Sequence, residues 1–341
     1  CKNDCPSGVD LAKLKAEVVH EHHQREGIGL RDRLFANVET VLRAGSMFAP
    51  VSNWAMDVPG AGWLMERTLG IAAERDLPSF SRHTFVDWMA DRRGSTVSAD
   101  DARRRALLVP DPYTNYSHPD VGAAAVRVLE AAGVHVRLPD GVTDSGRPAF
   151  SKSMLDHARA TATENVAALA PRVRDGWDVV TIEPSDAVMY QNDYLDLLTG
   201  ADAEAVARNA YGVCEYLDVH DLDRAIEFGG ADDHLTYHGH CHQKATRKDH
   251  HAVGVLRRAG YAVDPLDSTC CGMAGSFGYE AEHVSMSVSI RDLLFDQVDA
   301  STGDRVVAPG ASCRSQLAAH EGLDGEEPPH PIELVDEARG G

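Results

Sequence analysis

Seven cysteines carry the densest chemistry in this 341-residue chain, at positions 1, 5, 214, 241, 270, 271 and 313. An odd count with a vicinal pair argues against a disulfide framework, and clustered thiolates in a reducing compartment more often hold metal. Cys270 and Cys271 could pair with each other only by closing a strained ring. Soft thiolate ligands point to iron–sulfur or zinc. Cys241, Cys270, Cys271 and Cys313 each follow a short apolar run of strand character. In a parallel sheet the carboxyl ends of the strands share one edge, so three turns can bring four thiolates together. That is the inventory of a [4Fe–4S] cluster or a tetrahedral zinc ion. Gly239, Gly272, Gly275 and Gly310 nearby permit close backbone approach and can aim N–H groups at sulfur.

The remaining candidates carry less. His238, His240 and His242 flank Cys241 in HGHCH. Read as a continuing strand, alternation puts the three imidazoles on one face and Cys241 on the other, a supporting rather than a ligating position. Cys214 in YGVCEYL sits at helical spacing among apolar neighbours and reads as core. Cys1 and Cys5 in CKNDCP form the last half, C-x3-C-P, of the bacterial ferredoxin run, too little to assemble its clusters alone. GMAGSFG (272–278) has neither P-loop nor dinucleotide spacing, and reads as a turn shaped around the cysteines.

The elements that must position these residues change character along the chain. Residues 1–100 read as helical: LAKLKAEVVHEHHQ has helical apolar spacing with Asp10 placed as cap, and further amphipathic stretches lie at 31–44, 63–69 and 85–90. Trp54, Trp63 and Trp88 are expected to pack in the core or against a neighbouring domain. GSTVSADD (94–101) reads as a linker. From 106 onward, short apolar runs at 106–110, 134–139, 178–184, 234–240, 261–266 and 304–310 alternate with helical segments, one of them at 151–171 and stopped by Pro171. AAVRVLEAAGVHVRLPDGVTDSG lies over HAVGVLRRAGYAVDPLDSTCCG with one residue extra in the first, so one α/β module is duplicated. Asp111, Asp144, Ser145 and Asp186 of the first copy then fall on Cys241, Cys270, Cys271 and Cys313 of the second. Carboxylates are hard ligands, so the first copy is expected to hold no cluster.

Composition sets outer limits. Apolar residues make up 43% and charged residues 25%, ordinary for a globular protein. No apolar run is long enough for a membrane-spanning helix. The net charge of −20 repels phosphate backbones, so nucleic acid is not an expected partner. Arg outnumbers Lys 27 to 6 and Asp outnumbers Glu 34 to 19, a halophile-like acidic surface. The opening lacks an initiator Met and a signal peptide, and reads as a fragment starting mid-protein.

Twenty-eight residues between Cys241 and Cys270, and 41 between Cys271 and Cys313, after a duplicated module, resemble the cysteine-rich "CCG" domain. That domain occurs in heterodisulfide reductase, in the iron–sulfur subunits of glycolate and lactate oxidases, and in anaerobic glycerol-3-phosphate dehydrogenase. CKNDCPSGVDLAKLKAE, SGRPAFSKSMLDHA, HGHCHQKA and STCCGMAGSFGYE further resemble the C-terminal iron–sulfur half of FAD-linked D-2-hydroxyacid dehydrogenases of D-lactate, D-2-hydroxyglutarate or glycolate oxidase type. The resemblance implies an oxidoreductase in which electrons pass from flavin through a 4Fe-4S cluster to quinone or cytochrome. It implies ligands at Cys241, Cys270, Cys271 and Cys313, with Cys1 and Cys5 for a ferredoxin-type pair. FAD and substrate would sit on an FAD-binding dehydrogenase domain or subunit outside the chain. The expected location is cytoplasmic, with peripheral association at the inner face of the cell membrane allowed. One departure is Gln316, where the CCG pattern commonly has a further cysteine. The expected architecture is α/β: a helical ferredoxin-like remnant and linker (1–103), then CCG-type modules with parallel sheets at 104–230, its ligand positions degenerate, and at 231–341, the cluster-binding copy. A zinc-stabilised scaffold and a heterodisulfide-reductase-like thiol enzyme are the alternatives.

Overall fold

The computed structural model describes residues 7–92, 94–142 and 144–340. Cys1 and Cys5 lie outside the described residues. The architecture is α/β, as the alternation of apolar runs predicted. Strands β1 (Arg104–Val109), β2 (Val134–Arg137), β3 (Asp178–Thr181) and β4 (Ala210–Gly212) form a parallel sheet in the order β2-β1-β3-β4. Strands β5 (His234–Tyr237), β6 (Ala262–Pro265) and β7 (Arg305–Val307) form a second parallel sheet in the order β6-β5-β7. The orders β2-β1-β3 and β6-β5-β7 are the same arrangement, so the overlay of the two sequence halves corresponds to one repeated topology. β4 is an addition to the first copy, and AYG is too short for periodicity to reveal it.

The two sheets do not have separate cores. One cluster runs from Leu108, Val126 and Leu129 of the first copy to Leu235, Leu256 and Ile332 of the second. Continuous apolar runs such as ALLV in β1, buried on both faces, force helices onto each side of a parallel sheet. The C-terminal helix Pro331–Ala338 completes this shared core, and Arg127 Nε donates to Asp336 at 2.7 Å across the join. A second cluster lies under the helix Leu155–Arg174, and a third joins Leu266, Leu294 and Leu317 to Ile71 of the N-terminal segment.

Several expectations are corrected here. The helix expected at 151–171 is two, Arg147–Ser151 and Leu155–Arg174, and Pro171 sits inside the second. A proline deletes one N–H donor, and here the helix continues because Leu169, Ala170 and Val173 bury against the core around it. Trp54 and Trp63 are 69% and 64% exposed, which removes the core from the two places expected for them, while Trp88 stacks on Phe85. The 94–101 segment is pinned: Thr96 donates to Glu130, and Ser95 Oγ accepts from the Val136 N–H. Asp10 does cap Leu11–Glu26, accepting from the Lys13 N–H.

The N-terminal helices Leu30–Ala36, Val38–Met47 and Ala61–Leu69 close over the carboxyl edges of both sheets. Charge holds them there. Lys152 of the first copy pairs with Asp32 at 2.8 Å and with Glu280 at 2.5 Å, and Arg31 pairs with Glu282. Arg75 donates to Gly278 O, Gln316 Oε1 and Ser287 Oγ at 3.0, 2.7 and 2.8 Å.

Candidate metal centre

Three turns of the second sheet deliver the cysteines. β5 ends at Tyr237, and the chain turns at His240 into the helix Cys241–Ala245, whose first residue is Cys241. β6 runs into the turn holding Cys270 and Cys271, and β7 into Ala311–Ala318, whose first turn holds Cys313. All three turns lie at the carboxyl edge, so the cysteines come together: all four line one cavity, and the sulfurs of Cys271 and Cys313 lie within 4.8 Å of each other. Cys271 and Cys313 are buried and Cys241 and Cys270 half-buried. Cys214, 5% exposed, packs in the shared core away from this group, and burial pushes its thiol up to about 12.

The four thiols perturb one another: neighbouring thiols hold Cys270 and Cys313 below the ordinary thiol range and, with burial, push Cys241 and Cys271 above it. Two features favour negative charge on them. The Gly272 N–H points at Cys270 Sγ at 3.3 Å. Lys244, anchored by Nζ on the Leu266 carbonyl at 2.9 Å and on Ser268, bears its charge on Cys241 and Cys313. Gly272 has φ +95°, so only glycine reaches this turn without strain.

The histidines differ from the alternation argument, because the strand stops at Tyr237 and its alternation stops with it. His238 is fully buried, with Nδ1 2.7 Å from Ser268 Oγ and Nε2 without a hydrogen-bond partner. One of its ring nitrogens lies within 4.8 Å of the ligand atoms of Cys271 and Cys313, so His238 joins the donor set. Sequence reasoning missed it by extending β5 three residues too far. His240 caps the following helix, accepting from the His242 N–H at 3.2 Å, and burial holds the His242 imidazole down at about 2. The donors therefore fit a thiophilic metal: Cys271, Cys313 and His238, whose Nε2 is otherwise orphaned, lie within 4.8 Å of one another, and Cys241 and Cys270 line the same cavity.

The corresponding turns of the first copy hold Asp111, Asp144, Ser145 and Asp186, each satisfied locally. Asp111 accepts the Thr114 N–H at 2.9 Å, Asp144 the Gly146 N–H at 2.9 Å, and Ser145 Oγ donates to Asp186 at 2.6 Å. Burial, with Glu183 beside it, raises Asp111 to about 6, and burial with Asp111 beside it raises Asp186 well above the usual carboxylate range. Glu183 links the copies, accepting the Ala311 N–H at 2.9 Å at the start of the Cys313 helix. Between these turns, the cysteines and the N-terminal helices lies a cavity of about 430 Å³.

Residues 235–318 match the cysteine-rich domain (CCG) family. The chain is 26% identical to D-2-hydroxyglutarate dehydrogenase of Escherichia coli over 98% of its own length and 33% of that protein's. It is also 26% identical to a subunit of the anaerobic glycerol-3-phosphate dehydrogenase of Escherichia coli, over 91% of the chain and 77% of the relative. The glycolate oxidase iron-sulfur subunit of the same organism is 24% identical over 69% of the chain and 58% of its own length. The chain thus spans about a third of the D-2-hydroxyglutarate dehydrogenase it matches. No helix among the described residues is long and apolar enough to cross a membrane. The domain anticipated from the cysteine spacing is therefore present at residues 235–318, in a chain similar nearly end to end to named dehydrogenases and their subunits.

Proposed function

We propose that the chain is the iron–sulfur electron-transfer module of an FAD-linked 2-hydroxyacid dehydrogenase, of D-lactate, D-2-hydroxyglutarate or glycolate type. Cys241, Cys270, Cys271 and Cys313 hold the cluster, a [4Fe–4S] centre in this reading, which supplies one-electron transfer when bound. The observation that carries the reading is the convergence of four cysteines from three turns at one sheet edge on a single cavity. The chain's own groups prepare the place: Lys244 and the Gly272 N–H favour negative sulfur, and the N-terminal helices exclude bulk water from the inner thiols. The substrate site belongs in this reading to a dehydrogenase domain or subunit, in keeping with the names of the relatives, and FAD is placed on that domain or subunit with it. In this reading the chain divides into 1–103, 104–230 and 231–341, the first part ending a ferredoxin-type domain with Cys1 and Cys5 as ligands.

Anaerobically purified protein is expected to be brown, with broad visible absorption that bleaches on reduction. A colourless protein with stoichiometric zinc would support a second reading, a zinc-stabilised scaffold, which the approach of His238 to Cys271 and Cys313 favours.

A further inference from the structure

Among the described residues, three groups bring three metal-type donor atoms within 4.8 Å of one another. One belongs to the cysteine centre. A second, Glu280, Glu282 and His283, is already supplied with cations, because Arg31 and Lys152 pair with its carboxylates. The third is Asp218, His250 and His251. It straddles the two copies: Asp218 lies in the last turn of the helix Val213–Val219, and the histidines open the helix His250–Arg258. Charge around it is incomplete. Lys248 is matched by Glu215, Arg224 by Asp221, and Arg257 turns to the Val263 carbonyl at 3.0 Å. Arg258 is left to serve both Asp218 and Asp223, and the buried Asp223 Oδ1 has no hydrogen-bond partner. Two carboxylates against one guanidinium leave a surplus negative charge at the join.

We infer that Asp218, His250 and His251 form a second metal site, which takes a divalent cation of the zinc class and ties a helix of the first copy to one of the second. Two imidazoles and one carboxylate are a nitrogen–oxygen donor set for such an ion, with water in the fourth position. Asp218 Oδ2 and His251 Nδ1 are 2.6 Å apart and share a hydrogen bond. Tetrahedral ligands about 2.0 Å from zinc stand roughly 3.3 Å apart, so this pair has to open by only about 0.7 Å. The neutral imidazole that binds carries its proton on Nε2 and offers the Nδ1 lone pair to the ion. Arg258 stays on the other carboxylate oxygen, Oδ1. A plain hydrogen-bonded pair would need only Asp218 and His251. His250 adds a third donor: its ring lies 4.0 Å from that of His251, centroid to centroid, tilted by 36°. Its side chain is exposed and has room to turn onto the ion.

Cobalt(II) is the probe, because its absorption reports the donors it binds. Thiolate-bound cobalt shows intense sulfur-to-metal charge transfer in the near ultraviolet, whereas a nitrogen–oxygen site shows only ligand-field bands. Any cobalt taken by the cysteines is therefore marked and counted apart. Titrated into the wild-type protein, one equivalent is expected to give ligand-field bands free of sulfur charge transfer, which zinc abolishes. His250→Ala and His251→Ala are each expected to weaken this binding at least about tenfold. Zinc at a hundredfold excess over its Kd should raise the Tm of wild type by about 4 °C more than that of His250→Ala, whose exposed side chain the fold does not need. Absence of the sulfur-free cobalt bands, wild-type affinity in both histidine variants, or equal zinc shifts in wild type and His250→Ala would overturn the inference. None of these outcomes bears on the cysteines, with which the site shares no residue.

Discussion

Replacing Gly272 by alanine sets a methyl group against backbone that has no room to give. An added Cβ would lie 2.4 Å from the Ser287 carbonyl oxygen and 3.3 Å from the Arg291 nitrogen, both in the helix Val284–Ala300. The φ of +95° adds a conformational cost of about 1–2 kcal/mol for a residue with a side chain. Shifting the turn to relieve the contact also loosens the N–H bond on Cys270, worth about 1 kcal/mol more. The sum is about 3 kcal/mol or more, a large share of a typical folding free energy of about 5–15 kcal/mol. Gly275, three residues on, is the internal control: its φ is +68°, but an added Cβ meets nothing within 4 Å, so Gly275→Ala carries only the backbone cost. Denaturant unfolding and iron content should therefore separate the two variants, Gly272→Ala losing about 3 kcal/mol and most of its iron, and Gly275→Ala about 1 kcal/mol with iron retained. Equal destabilisation of the two, or full iron in Gly272→Ala, would refute the reasoning.

Two further outcomes follow from groups around the centre. Glu183→Ala removes the acceptor at the start of the Cys313 helix and is expected to cost about 1–2 kcal/mol in denaturant unfolding, with Glu183→Gln recovering part of it. Asp111, raised to about 6 when folded against about 4 unfolded, binds its proton more tightly in the native state. Its contribution to stability is therefore fully present below pH 4 and lost as pH rises through 6. Asp111→Asn should accordingly gain on wild type by up to about 3 kcal/mol between pH 4 and pH 7, read from paired urea titrations, and a constant difference across that range would contradict the burial argument.

Much of this was readable in the residues because the signals were repeated. The VLxxAG pattern occurs at 128–133 and 255–260, and it carried the two sheets, their parallel sense and the matching turns. The place of the four cysteines at one sheet edge was legible because each follows a strand, which fixes the edge on which it lies. His238 was not, since its role depends on where β5 stops, and HLTYHGH contains no breaker before Gly239 to mark the end. Nor was the cavity: the helical apolar spacing at 31–44 shows a buried face but not what it covers. Composition left two places open for Trp54 and Trp63, since it cannot tell a tryptophan that packs inside its chain from one left on the surface, and their exposure removes the core.

The central claim is that four particular sulfurs grip one inorganic redox centre, and iron with acid-labile sulfide, measured per chain across single cysteine-to-serine variants, tests it most directly. The account predicts about four of each in wild type and in Cys214→Ser, and a collapse in each of Cys241→Ser, Cys270→Ser, Cys271→Ser and Cys313→Ser. Wild-type iron and sulfide in all four of those variants, or their loss only with Cys214, would contradict it.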